Sequence, residues 1–408
     1  MRVAYIVPYV PNLIRTRPYN LIIHLTRLGH EVVVFTIGSG KQDLIDVQVL
    51  KGKCRDVHCF SHSTWHSLLN SATALPSRTS LQSVYSWRKK IALGISKRVS
   101  EHEFDVVHVE HLRGSGYGAF LKSRFPTMPV IWDSVDCISH LFGQAASQGQ
   151  GFFGKFVTRF ELSRTQKAEG ELTALFDHVL ITSSSDKDAL LKLVPADSHA
   201  APVSVLTNGV DLEYFYPNRE FQRDPESIVF SGKMSFHANI AMAQYLITEI
   251  MPRVWKIRPT ARLYIVGKDP PGDIKRLAKS PLITVTGTVS DIRPYLWGAT
   301  VAVAPLLYGA GIQNKILEAM ATATPVVTTD KALRALQVQV GKHLFAFNKP
   351  DEFSQAVLQL MNDPELQRRM GDAAAEYVRT HHNWASIASR LESIYREVLE
   401  SSSVLTPR

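Results

Sequence analysis

The feature that most constrains this chain is the make-up of its short apolar runs. Val3-Ala4-Tyr5-Ile6-Val7, Val32-Val33-Val34-Phe35, Val106-Val107-His108-Val109, Val130-Ile131-Trp132 and Val179-Leu180-Ile181-Thr182 are continuous rather than alternating. A strand with one wet face alternates polar and apolar residues. A strand that stays apolar on successive residues is covered on both faces, which is the situation in a parallel sheet. Helical patterns separate the runs. The first begins near Pro18, carries an apolar face of Leu21, Ile22, Leu25 and Leu28, and closes at Gly29, a residue suited to a C-terminal cap. Strand–helix–strand units of this kind predict a doubly wound α/β domain.

The series then repeats. Asp211 to Ser227 holds Pro217, Pro225 and many charges and reads as a linker. Beyond it come strands at Ile228–Phe230, Leu263–Val266, Ile283–Val285, Val301–Val303 and Val326–Val327, with a helix expected over Ile240–Lys256 and another over Ile312–Ala323. The C-terminus reads as helices over Asp351–Met361, Pro364–Arg379 and Trp384–Leu399. The 408 residues suit two domains at about 150 or more residues each. The expected division is an N-terminal Rossmann-like domain over 1–211, a linker over 212–226, a C-terminal Rossmann-like domain over 227–383, and a helix over 384–408 that crosses back. Two such domains in tandem put the expected site in a cleft, at the carboxyl ends of the strands.

Composition excludes several functions. Three cysteines without a CxxC pair argue against a zinc ribbon or dithiol centre, and fit a reducing cytoplasm. No apolar run approaches the roughly 18 residues of a membrane span, and the N-terminal run is too short for a secretory leader. The net charge of +9 is shared by both halves, with no basic tail. No acidic residue lies between Asp56 and Glu101, a stretch holding six Lys/Arg residues with Trp65 and Trp87. Val84, Trp87, Ile91, Ile95 and Val99 follow a helical period there, beside Arg88, Lys89, Lys90, Lys97 and Arg98. Residues 78–98 thus suit an anionic membrane surface; a solvated face packed on the domain is the commoner use of such a pattern. No nucleic-acid motif accompanies the charge, and no nucleic-acid partner is expected.

The densest chemistry lies in Ala304-Pro305-Leu306-Leu307-Tyr308-Gly309-Ala310-Gly311-Ile312-Gln313-Asn314-Lys315-Ile316-Leu317-Glu318. A strand ends, a glycine loop follows and a helix starts. Glycines admit a ligand close to the backbone, and the free N–H groups of the helix start suit a phosphate. Gly311, Asn314, Lys315 and Glu318 share one helix face, while Ile316, Ala319, Met320 and Ala323 form an apolar seam. A carboxylate two turns in suits a hydroxyl pair such as a ribose; an ordinary loop and a solvated Glu fit the pattern equally well. Lys233 follows a strand and can oppose the charge of a departing diphosphate. Arg15 and Arg17 sit in the first strand-to-helix loop, where they can meet a phosphate or simply face water. Asp133 and Asp136 end another strand and can steer an acceptor hydroxyl or cap a helix. His108, Glu110 and His111 close the strand before it and read as structural.

These residues carry a resemblance. The run from Gly311 to Ala321 resembles the donor site of the retaining family 4 glycosyltransferases of the GT-B fold, and within them a bacterial branch linked to exopolysaccharide and PEP-CTERM loci. Asn208-Gly209-Val210-Asp211, Gly232-Lys233-Met234, Asn239, Ile265-Val266-Gly267 and Thr286–Tyr295 are similar to the same branch. The resemblance implies two Rossmann-like domains facing each other across a cleft. It implies a donor site of Gly232, Lys233, Val289, Gly309, Gly311, Ile312, Gln313, Asn314 and Glu318, with catalytic roles for Lys233, Asp133 and Asp136, and an acceptor or phosphate side at Arg15 and Arg17. Ala310 stands where the family has a first glutamate. The implied activity is retaining transfer of a sugar from a nucleotide diphosphate sugar, a co-substrate, to a glycan or lipid-linked acceptor, in the cytoplasm or on the inner membrane face. Metal assistance through an Asp-x-Asp triplet is not expected, and neither is a resident cofactor. A donor-binding subunit that has lost catalysis and a sugar-nucleotide epimerase of the same architecture are the rivals.

Overall fold

The computed structural model describes residues 1–77, 79–147, 152–277, 279–308, 313–333 and 336–404. The chain divides into two units, residues 1–207 with the C-terminal segment from Trp384, and Asn208–Asn383.

The first unit is built on β1 (Arg2–Val7), β2 (Glu31–Gly38), β3 (Asp56–Ser61), β4 (Val106–Glu110), β5 (Val130–Val135), β6 (His178–Ile181) and β7 (Val203–Val205), all parallel, in the order β3-β2-β1-β4-β5-β6-β7. Its helices are α1 (Thr16–Arg27), α2 (Lys41–Lys51), α3 (Thr64–Ala74), α4 (Leu81–Val84), α5 (Lys89–Glu101), α6 (His111–Arg124), α7 (Ile138–Ser147), α8 (Phe152–Leu175) and α9 (Ser184–Leu191). The continuous apolar runs have the cause inferred for them. Along β1, Val3, Tyr5 and Val7 enter one core with Leu21, Ile22 and Leu25 of α1. Ala4 and Ile6 enter a second core with Ile91, Ile95 and Val99 of α5 and with Leu112, Tyr117 and Leu121 of α6. β3 and β7 escape the sequence reading. Asp56-Val57-His58-Cys59-Phe60-Ser61 mixes polar residues because an edge strand is only half covered, and Val203–Val205 is three residues long.

The second unit holds β8 (Asp224–Ser231), β9 (Arg262–Val266), β10 (Ile283–Gly287), β11 (Ala299–Ala304), β12 (Val326–Thr328) and β13 (Phe345–Ala346), again all parallel, in the order β10-β9-β8-β11-β12-β13. Its helices are α10 (His237–Tyr245), α11 (Met251–Ile257), α12 (Gly272–Leu277), α13 (Arg293–Gly298), α14 (Asn314–Ala321), α15 (Asp330–Leu333), α16 (Pro350–Asn362) and α17 (Pro364–His381). Between α10 and α11 the chain makes a π-helical turn over Leu246–Ile250, just ahead of Pro252, so the helix expected there runs unbroken but changes its winding midway. The last helix, α18 (Trp384–Val404), returns to the first unit, where Trp384, Leu391, Ile394 and Tyr395 join the core of α1.

Two expectations are corrected. Residues 212–226 are not a linker. Leu212 and Phe215 pack on the second unit's core, Tyr214 donates to Asp291 at 2.9 Å, and Trp297 Nε1 donates to the Tyr216 carbonyl at 2.7 Å. The prolines and charges belong to turns that precede β8, which begins within this stretch, at Asp224. Nor do Val84, Trp87 and Ile91 share one helix. α4 ends at Val84, Trp87 lies in the connection, and α5 starts at Lys89. Ile91, Ile95 and Val99 are buried in the core, so no apolar face of α5 is offered outward; Arg78, where the expected surface begins, is outside the described residues.

Candidate functional site

In the second unit, β8 is followed by β9 on one side and neighboured by β11 on the other. The chain reverses strand order there, and the crevice outside the carboxyl ends of β8 and β11 is where such a sheet holds ligands. Gly232, at the end of β8, has φ +149°, and Gly267, at the end of β9, has φ +152°. A Cβ on Gly267 would lie 1.8 Å from the Gly232 carbonyl oxygen, so the two strand ends close up only because residue 267 is glycine, while a Cβ on Gly232 would press on the Asn239 amide at 2.8 Å. The Asn239 side chain, buried at the start of α10, donates to the Lys233 carbonyl at 2.8 Å and accepts from the Lys315 ammonium. Lys315 stands over the Phe230 ring, 5.0 Å from its centroid.

Lys315 and Glu318 are consecutive on one face of α14, at the separation that lets helical side chains meet. Burial pushes the Lys315 amine down to about 8, with Glu318 opposing the shift. Burial raises the Glu318 carboxyl to about 7, with Lys315 opposing. The chain is pinned as it leaves β11, since Thr328 donates to the Ala304 carbonyl and Thr329 to that of Leu306, each at 2.7 Å. At the end of the described segment, Tyr308 stacks on His237, rings 5.4 Å apart, with Tyr308 Oη 2.9 Å from His237 Nδ1.

Of the expected donor residues, the structure brings together Gly232, Lys233 and Glu318, and it adds Asn239 and Lys315 as their links. Lys233 is exposed, and Gln313 and Asn314 lead into α14, half-buried. Val289 lies past the end of β10 and packs on the core. Gly309, Ala310, Gly311 and Ile312 lie outside the described residues.

The first unit concentrates its ionisable groups at the carboxyl ends of β1, β4 and β5. Asp133 is fully buried and ion-paired with Arg17, Nη2 to Oδ2 2.8 Å and Nε to Oδ2 2.9 Å. Arg17 also donates to the carbonyls of Leu206 and Thr207. Burial alone would raise the Asp133 carboxyl; the Arg17 charge and the His108 hydrogen bond together hold it below its ordinary value. This corrects the expectation that Arg17 meets a phosphate and that Asp133 steers an acceptor. The two neutralise each other inside the domain, 116 residues apart in sequence. Arg15 is exposed, stacked 4.8 Å over the Tyr9 ring and bonded to the Val10 carbonyl. Asp136 is half-buried and accepts from Thr182 at 3.3 Å; burial and then Asp186 raise it to about 6.

Two residues outside the expected site, His111, which the sequence reads as structural, and Val135, are set at strained backbone. His111 (φ +65°) follows β4, and Val135 (φ +68°) ends the adjacent β5. A β-branched residue there is an outlier, and such strain gathers at functional sites. Burial, then Arg113, lowers His111 to about 4, so the ring is neutral. Its Nδ1 accepts from the Arg113 N–H at 3.2 Å, which leaves the ring proton on Nε2. Beside it, buried Glu110 accepts from Tyr5 at 2.8 Å and Tyr9 at 2.6 Å, and burial, then Asp133, raises it to about 7. The chain also carries an Asp-x-Asp triplet, Asp186-Lys187-Asp188, which the metal-independent expectation passed over. It lies in α9, where Asp186 is buried against Ser183 and His140. Among the described residues no group of His, Cys, Asp and Glu is arranged to hold a metal.

Two all-parallel, doubly wound sheets in one chain are the architecture of the GT-B class. The sequence matches the Glycosyltransferase Family 4 profile over residues 15–214 and the Glycosyl transferases group 1 profile over residues 225–363. The chain belongs to the GT-B glycosyltransferases of group 1 and family 4. It is 26% identical to the candidate glycosyltransferase YtcC of Bacillus subtilis, a match covering 45% of this chain and 47% of that protein, so the chain spans less than half of YtcC. It is 22% identical to the candidate teichuronic acid biosynthesis glycosyltransferase TuaC of the same organism, over 77% of this chain and 76% of TuaC. Among solved structures, Anabaena HepE in complex with UDP and glucose superposes with a TM-score of 0.68 at 12% identity, over 97% of this chain and 100% of that one.

Proposed function

We propose that this chain is a retaining, metal-independent glycosyltransferase. It moves a sugar from a nucleotide diphosphate sugar to a glycan or lipid-linked acceptor in the assembly of a cell-surface polysaccharide. The observation that carries the reading is the joined cluster of Gly232, Asn239, Lys315 and Glu318 at the reversal of strand order. Glycine backbone lets a diphosphate approach, Lys315 and Lys233 supply positive charge, and Glu318 accepts from ribose hydroxyls. HepE, of the same fold, holds UDP and glucose, and TuaC is named for polysaccharide assembly; both support the reading. As the diphosphate leaves, the acceptor hydroxyl attacks from the same face and hands its proton to the departing phosphate, so no side chain has to be a strong base. In this reading neutral His111 donates its Nε2–H to a sugar or acceptor hydroxyl. The free cysteines suit a cytoplasmic location.

The test is a panel of UDP- and GDP-sugars, first by thermal shift, then by turnover with the product's anomeric configuration read by NMR. Glu318→Ala is expected to weaken nucleotide binding by ~1–3 kcal/mol, the range for a hydrogen bond to a charged group. Unchanged affinity removes Glu318 from the site. Nucleotide binding without any turnover would favour the donor-binding subunit, and an inverted product would exclude the retaining mechanism.

A further inference from the structure

α3 is an amphipathic helix packed the wrong way round for a soluble surface. Toward the domain it turns Ser67, buried and bonded to His62, and Ala74, together with Asn70, whose amide donates to the carbonyls of Val84 at 3.0 Å and Trp87 at 2.7 Å. Away from the domain it turns Trp65 (74% exposed), Leu68 (58%), Leu69 (59%), Ala72 and, one turn on, Leu75 (49%). At 100° per residue these five fall within about 120° of the helix circumference, the width of a stripe normally buried. Contiguous apolar surface of this kind marks an interaction site. The stripe does not stand alone. β3, β2 and β1 are adjacent, and each runs at its carboxyl end into exposed apolar residues: α3 after β3, Leu44 and Ile45 after β2, Leu13 and Ile14 after β1. The carboxyl-end edge of the β3-β2-β1 portion of the sheet therefore carries all three sets.

The surrounding charge decides the occupant. No acidic residue occurs from 57 to 100. Asn70 ties α3 to Trp87, and the next three residues are Arg88 and the exposed Lys89 and Lys90. At the other end of α3, the Arg164 guanidinium donates to the carbonyls of Ala74 and Leu75. Of the two acids in α2 near this edge, Asp46 bonds Asn12 and Asp43 bonds the Ser39 and Gly40 N–H groups. We infer that this edge of the first unit, led by the outward face of α3, docks reversibly on an anionic lipid bilayer. Trp65, Leu68 and Leu69 enter the headgroup boundary, and Lys89 and Lys90 meet lipid phosphates. No helix among the described residues is long and apolar enough to cross a membrane, so attachment is of the surface kind. The inference does not depend on which sugar is transferred, or on catalysis at all.

The experiment is co-sedimentation with phosphatidylcholine vesicles, with and without phosphatidylglycerol, at low and high salt, with light scattering on the free protein. Wild type is expected to pellet with the anionic vesicles at low salt and to shift its tryptophan emission to the blue, a shift that Trp65→Phe largely removes. Trp65→Ser/Leu68→Ser/Leu69→Ser should lower partitioning by about tenfold or more, with the far-UV dichroism and UDP titration of wild type, because the hydrogen-bonded inner face is untouched. Lys89→Gln/Lys90→Gln should lose the salt-sensitive part alone. Wild type that ignores anionic vesicles, or a triple serine variant that binds them as wild type does, overturns the inference. So does a wild-type dimer that the triple variant dissolves without vesicle binding, which would make the stripe a contact between copies of this chain.

Discussion

Lys315 should set the alkaline limit of nucleotide binding. Burial takes its amine from an ordinary value of 10.5 to about 8. Keeping it charged at neutral pH therefore costs about 3 kcal/mol relative to water, a cost that a diphosphate alongside relieves. A bound anion raises the amine's pKa above its free value, so affinity is full below about 8 and falls as pH rises beyond it, by up to ~1.4 kcal/mol per pH unit, until the value in the complex is reached. Lys315→Met keeps the aliphatic stem over Phe230 and removes the charge. It should cost ~1.5–3 kcal/mol of UDP affinity, roughly 10- to 150-fold, and abolish the alkaline fall. Calorimetric titration with UDP between pH 7 and 9.5 measures both effects, above the second phosphate ionisation near ~6. A variant with wild-type affinity and an intact alkaline limb would show that the ammonium serves the fold and not the ligand.

The Arg17–Asp133 pair should behave as structure. Arg17→Met leaves Asp133 buried without its counter-charge and should cost ~3–5 kcal/mol of stability, read from the denaturant midpoint of the first unit; a variant of wild-type stability with lost turnover would return Arg17 to the reaction. Gly267→Ala drives a methyl group into the Gly232 carbonyl and should lower the melting temperature and UDP affinity together, since at least one strand end must move; an alanine variant matching wild type in both would refute the close approach.

How much of this could be read from the chain varies with the range of the interaction. Helix α14 was legible because Ile316, Ala319 and Met320 on one side and Lys315 and Glu318 on the other obey a local period. The parallel sheets were legible because continuous apolar runs leave strands no wet face. Arg17 with Asp133 was not, because nothing in either neighbourhood records a partner 116 residues away. The role of residues 212–226 was hidden for the same reason, their anchors being Asp291 and Trp297. α3 shows a different limit. The spacing of Trp65, Leu68, Leu69 and Ala72 announces a stripe but not its direction, which is set by Ser67 and Asn70 finding hydrogen-bond partners inside.

The return of α18 to the first unit has a consequence for how the chain comes into being. Asn208–Asn383 is an uninterrupted stretch with its own core, and its ends are tied within it by Val210 N–H to the His382 carbonyl at 2.9 Å and His382 Nδ1 to the Asn208 carbonyl at 2.7 Å. The first unit is not so placed. Leu391, Ile394 and Tyr395 complete the core around α1, and Tyr395 Oη reaches buried His108 Nδ1 at 2.8 Å. On the ribosome the sheet of the first unit therefore waits, one face only partly covered by α1 and α2, while all of the second unit is made and closes on itself. The half that is begun first is finished last, and a chaperone that shields the nascent chain has that exposed face of β1 and α1 to hold.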